Sequence, residues 1–211
     1  MLREMFSYYY LNKKWNSILL LLLFICVPQL EGFDGLGKVG YFAPLHKSFR
    51  KIYNHYGLSL GIEVAQPFCV WDLPFEAFIE VDDTHASGRI NTTPNDPTTS
   101  VKTVFRLLQL DLGLKYYIPT PWLSFYVGFA STINYIHAKT EWQLPARSIN
   151  LRNVGYLTRL GTAFFVKELL IDFSVDYLSV PATLSNDQAQ RFDFLSDTSA
   201  FRFYFCLGFR Y

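Results

Sequence analysis

Large apolar and small or polar residues alternate along most of this chain. The pattern is clearest in the last stretch, Phe201 to Tyr211, which reads FRFYFCLGFRY. Phe201, Phe203, Phe205, Leu207, Phe209 and Tyr211 fall on one face, and Arg202, Tyr204, Cys206, Gly208 and Arg210 on the other. A period of two is the signature of a β-strand. A strand of about ten residues with one greasy face is the unit from which transmembrane β-barrels are built.

Seven earlier stretches repeat the pattern. Gly37 to Ala43 is the weakest, with Val39 and Tyr41 opposite Lys38, Gly40 and Phe42. Tyr56 to Ala65 alternates cleanly, and Pro67 is expected to close it in a turn. Further strands are predicted at about Trp71–Val81, Val104–Tyr117, Trp122–Ile136, Gly155–Val166 and Leu169–Tyr177. The segments Asp82–Ser100 and His137–Asn153 are rich in turn-forming and polar residues and read as loops, as do Pro44–His55 and Val180–Thr198. Connections therefore alternate between long and short. Eight strands with that alternation predict an all-β fold, an eight-stranded antiparallel up-and-down transmembrane β-barrel. Closure leaves no unpaired edge, which lipid would not tolerate.

A secreted soluble barrel of lipocalin type would use the same alternation with the apolar face inward. Volume argues against it. An eight-stranded barrel is just wide enough inside for side chains to fill, and the apolar face carries too many Phe, Tyr and Leu residues to fit there. The opposite face, with Gly, Ala, Ser and isolated charges, suits a narrow interior. It places Glu63, Glu76, Glu80, Asp111, Asp172 and Asp176 in the lumen with Lys115, Arg159, Arg202 and Arg210. Buried charges need partners, so these ten residues are expected to form a charge network that plugs the lumen.

The N-terminus adds a second signal. Arg3, Lys13 and Lys14 precede the apolar run Ile18–Val27, and Pro28 follows. This reads as a secretory signal peptide over residues 1–32, with the barrel domain over 33–211. The apolar run is too short for a spanning helix, which needs about twenty residues. The cleavage site is not evident from the residues.

Composition changes the picture little. Aromatic residues reach 18% and charged residues only 18%, below the usual quarter. A net charge of +1 gives no reason to expect nucleic acid. Cys69 is expected in a short turn and Cys206 on the lumen face, both as free thiols. The histidines His46, His55, His85 and His137 lack metal-ligand spacing, so neither metal nor cofactor is expected. Asp82, Asp83, His85 and Ser87 combine a nucleophile, a base and an orienting acid. A polar loop holds such groups too loosely for catalysis, so an enzyme is not expected.

The stretches KVGYFAP, YGLSLGIEVA, DLGLKYYIP, FYVGFA, LLIDFSVDY and LGFRY resemble the small eight-stranded outer-membrane barrels of Gram-negative bacteria, of the type of the outer-membrane protein A transmembrane domain. The resemblance implies location in the bacterial outer membrane and outer-membrane lipid as the surroundings. It implies that Phe203, Phe205, Leu207, Phe209 and Tyr211 form the signal read by the barrel-assembly machinery, with Tyr at the end where Phe is commoner. It also implies a monomer with a structural or surface-interaction role, in envelope integrity or adhesion, and a host or surface ligand at the loops. The alternatives are a small pore, or a lipid-modifying enzyme or protease at the barrel rim.

Overall fold

The computed structural model describes residues 32–53, 56–93, 96–120, 123–140, 147–181, 195 and 197–210. Its strands are β1 (Asp34–Pro44), β2 (Gly57–Val70), β3 (Leu73–Thr93), β4 (Asp96–Pro119), β5 (Ser124–Thr140), β6 (Arg147–Val166), β7 (Leu169–Ser179) and β8 (Ala200–Arg210). Each pairs with the next in antiparallel fashion, and β8 pairs with β1 to close the barrel. One short helix, α1 (Lys47–Ile52), lies between β1 and β2.

The register defines the barrel's shape. Following paired residues once around from Asp34 leads through Ala65, Phe78, Gly113, Ala130, Leu157, Leu178 and Ala200 to Pro44. The circuit thus returns ten residues further along β1, from 34 to 44. In eight strands that offset tilts them by about 40° from the barrel axis.

The apolar face is outside. Ile62 is 68% exposed, Leu160 62% and Phe209 61%, while Glu63 and Arg159, the sequence neighbours of the first two, are buried. A soluble barrel with an apolar interior is therefore excluded. On β4 the outward positions Leu108, Leu110, Leu112, Leu114, Tyr116 and Ile118 form the apolar stripe. At about 3.4 Å per residue and a tilt of about 40°, the stripe rises about 26 Å, close to the roughly 25 Å belt of an outer-membrane barrel. Rings of aromatic side chains bound the belt. Tyr41 stacks on Tyr56 near the long-loop end, where Phe129, Tyr156, Tyr177 and Phe201 continue the ring. Phe68, Phe75 and Tyr116 stack near the short-turn end.

Several boundaries differ from the sequence expectation. Residues 82–93 and 96–103 are strand, as are 137–140 and 147–153. Turn-forming residues dominate there, yet cross-strand pairing with a neighbour extends both hairpins well beyond the belt. Pro67 and Cys69 lie within β2, not in a turn. The turn is Trp71–Asp72, both with positive φ (52° and 63°), as a two-residue hairpin of primed type requires. The expected Lys167–Glu168 turn joins β6 to β7, with Lys167 at φ 57°. Residues 1–31 of the stretch expected to be a signal peptide, and Tyr211, lie outside the described residues.

Candidate functional site

The barrel lumen is the most elaborated polar site in the molecule. Arg159 on β6 reaches across it. Its Nε donates to Asp176 Oδ1 at 2.6 Å, its Nη1 to Glu63 Oε2 at 2.7 Å and its Nη2 to Glu80 Oε2 at 2.7 Å. Asp176 is the neighbour on β7, whereas Glu63 and Glu80 lie on β2 and β3 at the far wall. Lys38 on β1 donates to the same Glu80 oxygen at 2.7 Å. Lys115 on β4 donates to Glu63 and, at 2.8 Å, to Glu76, which also accepts from the Tyr117 hydroxyl at 3.2 Å. Arg202 on β8 donates to Gln109 at 2.6 Å and Asp176 at 3.1 Å, with Asp82 at 3.4 Å and Asp111 at 3.6 Å. Gln109 donates in turn to Asn134 on β5 at 2.7 Å. All eight strands thus feed one connected array, because the period-two alternation points every second side chain inward.

Buried apolar and aromatic side chains pack against the array towards both ends. Towards the short turns, Tyr117, Tyr126, Leu170 and Tyr204 pack with Leu36 and Cys206. All three tyrosine hydroxyls meet charges: besides the bond from Tyr117 to Glu76, Tyr126 donates to Asp172 at 3.0 Å and Tyr204 to Asp82 at 2.5 Å. Glycine makes room for these rings, since a side chain at Gly161 would run into the Tyr126 ring and one at Gly40 into Tyr204. Towards the long loops, α1 drops Phe49 into the mouth of the barrel. Phe49 packs against Phe42, Tyr53 and Phe105, all fully buried, with Leu107, Ile136, Leu157 and Leu178 below. Gly88 permits this, because any side chain there would collide with the Ile52 carbonyl. The Tyr53 hydroxyl bonds Thr103 at 3.0 Å, and burial pushes its pKa up to about 12.

Nine of the ten residues anticipated for the lumen network are fully buried inside the barrel: Glu63, Glu76, Glu80, Asp111, Lys115, Arg159, Asp172, Asp176 and Arg202. Arg210 is partly exposed at the short-turn mouth and forms a two-pronged bond with Asp34, at 2.9 and 2.6 Å. Asp172 accepts its bond from the Tyr126 hydroxyl. Lys38 and Asp82 belong to the array as well and are not among the ten. Lys38 alternates with Val39, so its inward direction is legible in the sequence. Asp82 is hidden because the composition reads as a loop from that position. Phe203, Phe205, Leu207 and Phe209 of the C-terminal strand face outward.

The group Asp82, Asp83, His85 and Ser87 is split by strand alternation. Asp82 is inside and bonded to Tyr204, whereas Asp83, His85 and Ser87 point outward. There Asp83 accepts two bonds from Arg106, at 2.9 and 2.7 Å, and lies 3.1 Å from His85 Nε2. Among the described residues no cluster of three or more His, Cys, Asp or Glu side chains suits a metal ion. Cys69 and Cys206 are free thiols, Cys69 exposed and Cys206 buried in the lumen.

A closed eight-stranded barrel with an apolar belt outside and an ionic lumen is the architecture of a bacterial outer-membrane protein. No protein-family model matches the sequence, and no curated protein matches it. The fold is similar to that of a major outer membrane protein from Thermus thermophilus, with a TM-score of 0.55 at 12% identity over 85% of this chain and 99% of that one. Neisserial surface protein A aligns over 84% of this chain and 95% of its own, with a TM-score of 0.48 and 13% identity. The attachment invasion locus protein of Yersinia pestis, solved with the heparin analogue sucrose octasulfate, aligns over 86% and 99%, with a TM-score of 0.49 and 12% identity. At such identities the likeness speaks for the fold alone. The chain has the fold of the small outer-membrane β-barrels, and its belt places it in that membrane.

Proposed function

We propose that this protein is a closed, non-conducting barrel with a structural or surface-contact role, anchored by its belt and presenting its long-loop end to the exterior. The observation that carries this reading is Arg159, whose bonds to Glu63, Glu80 and Asp176 span the lumen from wall to wall. The aromatic cap around Phe49 closes the outer mouth above it. Water-filled channels belong to far larger barrels, of sixteen or more strands.

On this reading residues 1–32 are the export leader, and the short turns and both ends of the barrel domain face the periplasm. The C-terminal strand, through Phe203, Phe205, Leu207, Phe209 and Tyr211, is the segment that the barrel-assembly machinery takes up. The barrel works as a monomer, and whatever it contacts outside the cell meets the hairpins β3–β4 and β5–β6 and the outer loops.

Conductance in a planar bilayer tests the central claim. The folded chain should be silent over minutes at either polarity. Stable unitary steps would overturn the closed-barrel reading and make the protein a small channel.

A further inference from the structure

Strands β3 to β6 are longer than the rest. They run 21, 24, 17 and 20 residues, against 11 each for β1, β7 and β8. One side of the barrel wall therefore rises beyond the outer aromatic ring. The register shows which residues lie there. An offset of ten residues over eight strands moves a level line by about 1.25 residues per strand. Starting from Tyr41, the line meets β3 near Asp83, β4 near Leu110 and β6 at Tyr156.

Above that line the outward side chains of β3 to β6 are strongly cationic. They include Arg89 on β3, Lys102 and Arg106 on β4, Lys139 on β5 and Arg152 on β6, with His85 and His137 among them. Asp83 is the acidic side chain described on this wall, and Arg106 occupies it. Arg152 lies over the Tyr135 ring at 5.3 Å. Arg89 and Lys102 are direct register partners, both exposed, and neither has an ion-pair partner among the described residues. With Ser87 and Gly88 they line an open cleft of about 480 Å³. Like charges placed opposite each other on paired strands repel. A chain that sets two cations there, with no described acid beside them, is arranged for an anion from outside.

The wall faces sideways, along the membrane plane, so at this height its neighbour is the headgroup layer of the outer leaflet. Arg106 and Arg152 sit about 10–11 Å above the ring, and Arg89 and Lys102 about 17–20 Å. The headgroup layer of a phospholipid leaflet is only about 5–8 Å deep. Such a lipid reaches the lower cations at best. A glycolipid that carries phosphates on a tall sugar headgroup reaches both tiers.

We propose that the outward wall of β3–β6, centred on Arg89 and Lys102, binds the phosphate groups of the outer-leaflet glycolipid. This rests on the orientation given above, with the long loops outermost. Clusters of Lys and Arg beside an anionic membrane surface gain affinity with each cation, and guanidinium groups match phosphate geometry in a two-pronged fashion.

The test uses the full chain folded into phosphatidylcholine nanodiscs doped with rough lipopolysaccharide, either intact or enzymatically dephosphorylated. Retained glycolipid is measured by native mass spectrometry and titration. Binding of the phosphorylated form should be about tenfold tighter than that of the dephosphorylated form. Arg89→Gln with Lys102→Gln should remove most of that difference. Lys47→Gln with Lys51→Gln, at the end of the barrel and not on its wall, should leave it intact. A boiling-dependent gel shift in plain phosphatidylcholine shows whether each variant is folded. Equal retention of the two glycolipids, or wild-type retention by the double variant, would overturn the proposal. So would equal binding of phosphatidylglycerol, or full competition by millimolar inorganic phosphate, which would mark a site for a soluble anion. Conductance of the barrel bears on the closed-lumen reading and leaves this result untouched.

Discussion

Arg159 Nε and Asp176 Oδ1 lie 2.6 Å apart between register partners on β6 and β7. The same guanidinium bonds Glu63 and Glu80 on the opposite wall. One side chain thus ties adjacent strands and crosses the lumen. Both walls are held by charges that are shielded from water. Such an array is costly to assemble and more costly to break, because removing one member strands the others.

Arg159→Met should therefore destabilise the barrel by about 3–5 kcal/mol, the usual result of leaving buried charges uncompensated. Arg159→Lys should recover only part of this, since an ammonium cannot reproduce the fork that meets Asp176, Glu63 and Glu80 together. Urea-induced unfolding from lipid vesicles measures both. Wild-type stability in Arg159→Met would show that the lumen charges are not coupled as described.

Asp111 should behave in the opposite way. Both its carboxylate oxygens are buried and lack a hydrogen-bond partner, and Arg202 Nη2 is 3.6 Å away. Asp111→Asn keeps the shape and removes a charge that is poorly compensated. Its effect on the same unfolding curves should stay within about 1 kcal/mol or be stabilising. A loss above about 2 kcal/mol would indicate that the carboxylate holds an ion or water in the lumen.

The outer face is tested by placing a charge in the belt. Leu112→Arg and Val175→Arg should each cost about 2–4 kcal/mol. Val154→Arg, above the ring on β6, should cost no more than about 1 kcal/mol. Equal effects at all three sites would contradict the position of the belt.

The aromatic cap is predicted to seal the mouth without being the only seal. Phe49→Ala removes a fully buried ring from contact with Phe42, Tyr53 and Phe105. It should cost about 3 kcal/mol, read by denaturant unfolding. Planar-bilayer recordings of the same variant should remain silent, because the charge array beneath is unchanged. Steps that appear only in Phe49→Ala would assign the barrier to the cap alone.

Much of this protein is legible residue by residue, because alternation is a local property. The inward and outward faces of Tyr56–Ala65 or Phe201–Tyr211 follow from period two alone, and so does the excess of bulk on the outer face. The inward direction of Lys38 is equally readable. Its partners are not, since Glu63 and Glu80 lie 25 and 42 positions away in sequence. Asp82–Thr93 misleads because its composition favours turns, while pairing with β4 holds it as strand. The register is a non-local quantity, set by how eight strands close with a ten-residue offset, and no single strand encodes it. That closure brings Arg159 within reach of three carboxylates, seats Phe49 against Phe105, and sets Arg89 opposite Lys102 on a wall above the belt. Alternation along the chain is enough to dictate a barrel and the side of it that meets lipid. Which charges meet inside is settled by closure in three dimensions, because the geometry of the ring, not proximity in the chain, brings partners from distant strands together.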